Sequence, residues 1–160
     1  MIIFHGSTEV VAVPRIIMSY TGRDFGSGFY TTDIRDQAVK WAKRQAMYRK
    51  SPDAILNVYE FDDSAFKRLN VKRFNDYSME WLDFIIECRK NKTFQHTCDI
   101  VIGKIADDVV GETLQAVIDG LAPKEFALSK LVFMQANNQI CFSTASALEY
   151  LLFISSEKVN

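Results

Sequence analysis

The chain of 160 residues and 18.3 kDa is long enough for one well-buried core and short for two, so a single domain over residues 1–160 is expected. With 48% hydrophobic and 24% charged residues, its composition excludes a disordered or low-complexity protein. A formal net charge of −1 excludes a global field that would draw it to nucleic acid or anionic lipid, so any acidic ligand must be met locally.

Met1 to Phe4 is a short apolar run ended by His5-Gly6-Ser7, which reads as a strand entering a turn. The start M-I-I-F-H-G has neither the basic residues nor the long apolar stretch of a signal peptide. No run approaches the roughly 18 residues of a membrane span, so a cytoplasmic protein without membrane contact is expected. Val10 to Val13 precedes Pro14 and should be extended, and the stretch up to Gly28, with Gly22, Gly26 and Gly28, reads as loop. Phe29 to Thr32 resumes as a strand. Thr32 or Asp33 can cap the next helix, which carries Ala38, Trp41, Ala42 and Gln45 on one face and basic residues around the others. Pro52 ends that region, and Ile55 to Phe61 alternates as a half-buried strand. From Ser78, the spacing of Trp81, Phe84, Ile85 and Cys88 predicts an amphipathic helix with acidic residues at its start and basic ones at its end. Asp99 to Gly103 is a short buried strand. Val110, Leu114, Val117 and Ile118 predict a helix stopped by Gly120, and Pro123 opens another. Leu131 to Met134 and Gln139 to Phe142 read as strands of a hairpin turning at Asn137-Asn138. A helix from Ala145 to Leu151 and a strand near Phe153 close the chain. Strands and helices mix without βαβ alternation, which favours an α+β fold.

The segment Asp24 to Ala42 concentrates the candidate chemistry. Tyr30 ends a glycine-bracketed strand and Trp41 follows eleven residues later on the first helix, an offset that can set two rings across a gap one planar ring wide. Glycines beside a strand end let a ligand approach the backbone, although both rings can equally be core aromatics and the glycines a plain turn. His5, with Gly6 behind it, can hydrogen-bond a ligand or simply a nearby carbonyl. Gln139 can bond a sugar hydroxyl or a neighbouring strand, but its amide cannot serve as a base or carry negative charge. Asp107-Asp108 reads as a helix cap. Cys88, Cys98 and Cys141, odd in number and widely spaced, fit reduced thiols better than disulfides or a metal site.

F-H-G-S at 4–7, D-F-G-S-G-F-Y-T-T at 24–32 with Q-A-V-K-W-A following, D-I-V-I-G-K-I-A-D-D at 99–108 and N-Q-I-C-F-S-T at 138–144 together closely resemble a bacterial family of uncharacterised proteins, the DUF3990 family. The resemblance runs from His5 to about Phe153, and that family looks like a branch of the ADP-ribosyltransferase fold with a His-Tyr-Glu signature. It implies two packed, mostly antiparallel sheets with peripheral helices and NAD as co-substrate in the cleft between them. It also implies an ADP-ribose acceptor of unknown identity and a small antitoxin partner, since members often resemble toxins of toxin–antitoxin pairs.

By the same resemblance His5 bonds a ribose hydroxyl, Gly6 holds the nicotinamide carboxamide through its backbone, and Tyr30 and Trp41 sandwich the nicotinamide. Ser7, Phe29 and Thr31 complete the dinucleotide site, and the catalytic set is His5, Tyr30 and Gln139. Two positions depart from the family pattern. Ala38 stands where a serine commonly bonds the carboxamide, and Gln139 stands where a glutamate is usual, which implies a single transfer rather than chain elongation. An NAD glycohydrolase and a catalytically inactive module that binds NAD or ADP-ribose or docks a partner are the alternatives.

Overall fold

The computed structural model describes residues 1–18, 23–91, 94–105, 108–131 and 137–159. Seven strands and six helices follow in the order β1 (Ile2–Ser7), β2 (Phe29–Thr31), α1 (Arg35–Arg49), β3 (Ile55–Phe61), α2 (Ala65–Arg68), β4 (Val71–Arg73), α3 (Met79–Lys90), β5 (Ile100–Gly103), α4 (Asp108–Ile118), α5 (Lys124–Leu131), β6 (Gln139–Phe142), α6 (Ala145–Leu148) and β7 (Leu151–Lys158) among the described residues. The fold is α+β. One sheet runs β1-β3-β7 and the other β2-β6-β5-β4, all pairs antiparallel except β4 with β5.

Strand alternation builds two cores from these sheets. Ile3, Tyr59 and Phe61 of the first sheet meet Phe29, Ile100, Ile102, Ile140 and Phe142 of the second. The other face of the second sheet, with Val101 and Cys141, packs under Trp81, Leu82 and Ile85 of α3, joined by Leu114 of α4 and Ala127 of α5. Burying one large apolar side chain contributes roughly 1.5–3 kcal/mol. Solvent-exposed ion pairs such as Lys72 with Glu80 and Lys124 with Asp83 contribute about 0–1 kcal/mol each. The fully buried Phe25, Phe29, Phe61, Trp81 and Phe142 therefore outweigh the surface charges in holding the layers together.

α3 follows its sequence signals. Ser78 Oγ accepts from the Trp81 amide at 3.1 Å, Glu80 lies in the first turn and Arg89 and Lys90 in the last. α1 starts differently from its expected cap: Thr32 Oγ1 accepts from the Ile34 amide at 3.1 Å, Ile34 takes the cap position without a side-chain bond, and Asp33 instead accepts from Asn138 Nδ2 at 3.0 Å.

Three further expectations are corrected. Val10 to Val13 does not run extended but bends at Ala12 and Val13; the segment is fastened from the side, where Asn57 Oδ1 accepts from the Val11 amide at 2.8 Å and the Tyr59 hydroxyl donates to the Val11 carbonyl. Leu131 closes α5 instead of opening a strand, and residues 132–134 of the expected hairpin arm lie outside the described residues, as does Asp107. The last helix stops at Leu148, and β7 begins at Leu151. No helix among the described residues is long and apolar enough to cross a membrane.

Candidate functional site

The two sheets meet at a two-bond bridge. The Phe4 amide donates to the Thr32 carbonyl at 2.8 Å, and the Thr32 amide donates to the Phe4 carbonyl at 2.9 Å. One residue along β1, His5 Nδ1 lies 2.7 Å from the carbonyl oxygen of Tyr30. A carbonyl only accepts, so Nδ1 carries the proton and Nε2 of the neutral ring presents a lone pair. Burial pulls the His5 pKa below 6.5; the Tyr30 carbonyl opposes that pull, and the positive charge of Arg23 adds to it. His5 is thus a neutral acceptor at pH 7. Its ring rests on Phe29 at 4.5 Å between centroids.

Tyr30 leaves β2 on the face opposite to Phe29, toward α3, beside its cross-strand partner Cys141. Its hydroxyl donates to the Gly26 carbonyl at 2.5 Å and accepts from the Phe25 amide at 3.3 Å. Burial, reinforced by Cys141 and Asp24, raises the Tyr30 pKa well above 10, which leaves the phenol no role as a base. The loop that grips it is fixed from below. Phe25 is fully buried, His96 Nε2 donates to the Phe25 carbonyl at 2.9 Å, and Asp24 accepts from Arg89 Nε at 2.9 Å. Gly26 sits at φ +73°, the left-handed conformation that side-chain-bearing residues rarely adopt.

Gly6 has a packing role. α1 crosses β1 so closely that a Cβ at Gly6 would lie 2.8 Å from the Ala42 nitrogen and nearer still to the Ala38 carbonyl oxygen. Ala38 and Ala42 are correspondingly buried, so the small residue at position 38 is what the crossing requires. Trp41, beside them on α1, is half exposed at 49% and makes no ring contact with Tyr30. The group over the Tyr30 ring is the Arg23 guanidinium, 5.3 Å from the centroid. Ser7 ends β1 and accepts from the Glu9 amide at 3.3 Å. Thr31 Oγ1 donates to the Ile140 carbonyl at 3.2 Å.

Gln139 opens β6 opposite Gly103 and shares its sheet face with Cys141, hence with Tyr30. Its position is held from two sides: Gln37 of α1 donates to the Asn138 carbonyl at 2.7 Å and accepts from the Asn138 amide at 3.2 Å, and Asn137 Oδ1 accepts from the Ile105 amide at 2.9 Å. The Gln139 Nε2 is buried with no hydrogen-bond partner among the described residues. Such a donor costs about 1–3 kcal/mol to leave unpaired.

Two side chains important to the site were not singled out from sequence. Asn57 is fully buried and donates to the Glu9 carbonyl at 3.2 Å and the His5 carbonyl at 3.4 Å, which fixes the backbone around His5. Its signal was a polar residue in the same phase as Tyr59 and Phe61. Arg23 had no signal beyond its place before the D-F-G-S-G run. Open clefts of about 560 Å³ beside Lys43, Met47 and Pro52 and about 420 Å³ beside Glu60, Asp62 and Glu149 contain none of the candidate residues. No cluster of three His, Cys, Asp or Glu side chains among the described residues could hold a metal ion.

The molecule is an α+β protein in which a neutral histidine, a gripped tyrosine and a glutamine whose Nε2 has no partner among the described residues lie on adjoining strands near the bridge between the two sheets. A family model for a protein of unknown function, DUF3990, matches residues 1–153, and the chain belongs to that family. No curated protein and no solved structure matches it.

Proposed function

We propose that the protein is an NAD-dependent mono-ADP-ribosyltransferase of the ADP-ribosyltransferase fold, acting as the toxin of a bacterial toxin–antitoxin pair in the cytoplasm. The observation that carries this reading is a neutral His5, whose Nε2 presents a lone pair, bonded to the backbone of Tyr30 on β2, next to the β6 strand on which the buried Gln139 Nε2 has no partner among the described residues. An acceptor and a donor of this kind suit the hydroxyls of a ribose.

In the reaction, the bond between C1′ of the ribose and the nicotinamide nitrogen breaks. Nicotinamide departs with the bonding electrons and becomes neutral. A nucleophile on the acceptor forms the new bond to C1′ and yields its proton to solvent. His5 and Gln139 hold ribose hydroxyls, while Tyr30 and Trp41 border the nicotinamide end. Gln139 has no charge with which to stabilise a developing cation or activate a weak acceptor, so the scheme requires an acceptor that is already a good nucleophile.

Calorimetric titration with NAD, together with measurement of nicotinamide release, tests the division of labour. His5→Ala should weaken NAD binding, and Gln139→Ala should mainly lower turnover. Equal effects of the two substitutions on both quantities would sink that assignment. The missing carboxylate at position 139 also supports a second reading, a catalytically inactive module that binds NAD or ADP-ribose. NAD affinity without nicotinamide release would establish it, and NAD consumption without any acceptor would mark a glycohydrolase.

A further inference from the structure

Arg23 is a half-buried cation that makes no ion pair among the described residues. Its neighbour Asp24 is engaged by Arg89 through Nε at 2.9 Å and also through Nη2. The Arg23 guanidinium instead lies over the Tyr30 ring, 5.3 Å from its centroid, and is close enough to His5 to disfavour a second positive charge there. A guanidinium on an aromatic face is a modest attraction, about 0.5–1 kcal/mol where water still has access. Two charge-assisted bonds to a phosphate are stronger and geometrically matched to its fork of donors. The arrangement therefore leaves the strongest interaction available to Arg23 unmade.

The transferase reading also gives this ring to nicotinamide, which in NAD is a pyridinium cation. A second cation is disfavoured beside a ring that the guanidinium already covers. We infer that Arg23 is the site's diphosphate-recognising residue: its guanidinium covers Tyr30 when the site is empty and moves onto the diphosphate of the dinucleotide when the site is filled. The inference rests on the transferase reading for the identity of the dinucleotide, while the anion preference follows from Arg23 alone. It makes Arg23 a specificity residue. Mononucleosides and free nicotinamide, which offer no diphosphate, fail to draw the guanidinium away and bind poorly.

The test is calorimetric titration of the whole protein, wild type, Arg23→Ala and Arg23→Gln, with ADP-ribose, inorganic pyrophosphate and nicotinamide. Glutamine keeps the stem over Tyr30 and guards against a folding defect. The wild type should bind ADP-ribose and, more weakly, pyrophosphate, both less tightly as salt rises. Both variants should lose about ten- to a hundredfold in affinity for ADP-ribose and pyrophosphate, as expected for charge-assisted bonds. Nicotinamide should bind the variants at least as well as the wild type. Unchanged ADP-ribose affinity in the variants would overturn the assignment, as would a parallel loss for nicotinamide or a wild type that binds neither anion. Arg23-dependent pyrophosphate binding without any affinity for ADP-ribose would uphold the anion site and refute the NAD reading instead.

Discussion

Gly6→Ala probes the crossing of α1 over β1, which places His5 and Trp41 relative to each other. The added Cβ would sit 2.8 Å from the Ala42 nitrogen and closer to the Ala38 carbonyl oxygen, where ordinary contact begins at 3.4 Å. Both obstructing atoms are backbone, so no side chain can swing aside, and the helix itself must retreat by more than about half an ångström. That retreat opens gaps beneath Ala38 and Ala42, both buried. Overpacking of this kind costs about 1–3 kcal/mol, with the upper end expected where the clash is with main chain. For a domain of this size the loss corresponds to a fall in Tm of roughly 6–12 °C at the upper end. Denaturant and thermal unfolding should show it. Gly111→Ala is the control, because a Cβ there meets nothing within 4 Å and the residue lies in α4, where Ala is favoured by about 1 kcal/mol. Should Gly6→Ala match the wild type in stability, the close crossing of α1 over β1 is wrong.

Arg89→Met leaves the carboxylate of Asp24, whose side chain is only 7% exposed, without its guanidinium, and should destabilise the protein by about 3–5 kcal/mol in urea unfolding; a change below 1 kcal/mol would remove that pair from the account of the loop. His5 gives a pH dependence whose sign is fixed. Its folded pKa lies below 6.5, so below about pH 6.5 the unfolded chain binds the proton more readily, and stability falls as pH drops toward the folded pKa. His5→Gln should flatten stability-versus-pH curves in that acid range, and an unchanged slope would contradict a neutral buried His5. Burial pushes the Cys141 thiol up to about 11 and Cys88 to about 12, while Cys98 is partly exposed. A thiol reagent at pH 8 should label Cys98 in the folded protein and all 3 cysteines after denaturation; rapid modification of Cys141 in the native state would refute the packing of the face it shares with Tyr30.

Elements with a strong period or a clear cap were readable in the chain. The alternation of Ile55 to Phe61 and the amphipathic spacing from Ser78 specify β3 and α3 because each buries one face against a single layer. The short elements α2 and β4 were missed, since four and three residues carry no period and β4 depends on a parallel partner far along the sequence. Leu131 reads as apolar strand but completes a helix, a choice that short apolar runs do not settle. Among site residues, His5 reads from sequence as a histidine where a strand gives way to a turn, but β1 continues paired through Gly6 to Ser7, and the bond of His5 to the Tyr30 carbonyl is the plain hydrogen bond that a histidine can make there. Gly6 was legible as a point of close approach, although the neighbour turned out to be α1. The place of Arg23 over Tyr30 depends on the path of the loop before β2, which no local pattern encodes.

The central claim is transfer of ADP-ribose from NAD, and incorporation of label from adenylate-labelled NAD into the macromolecules of a bacterial lysate tests it most directly. The wild-type protein should deposit label that His5→Ala does not, with protease or nuclease sensitivity revealing the acceptor class. Labelling by the two proteins alike, or no label with NAD left intact, would contradict the account.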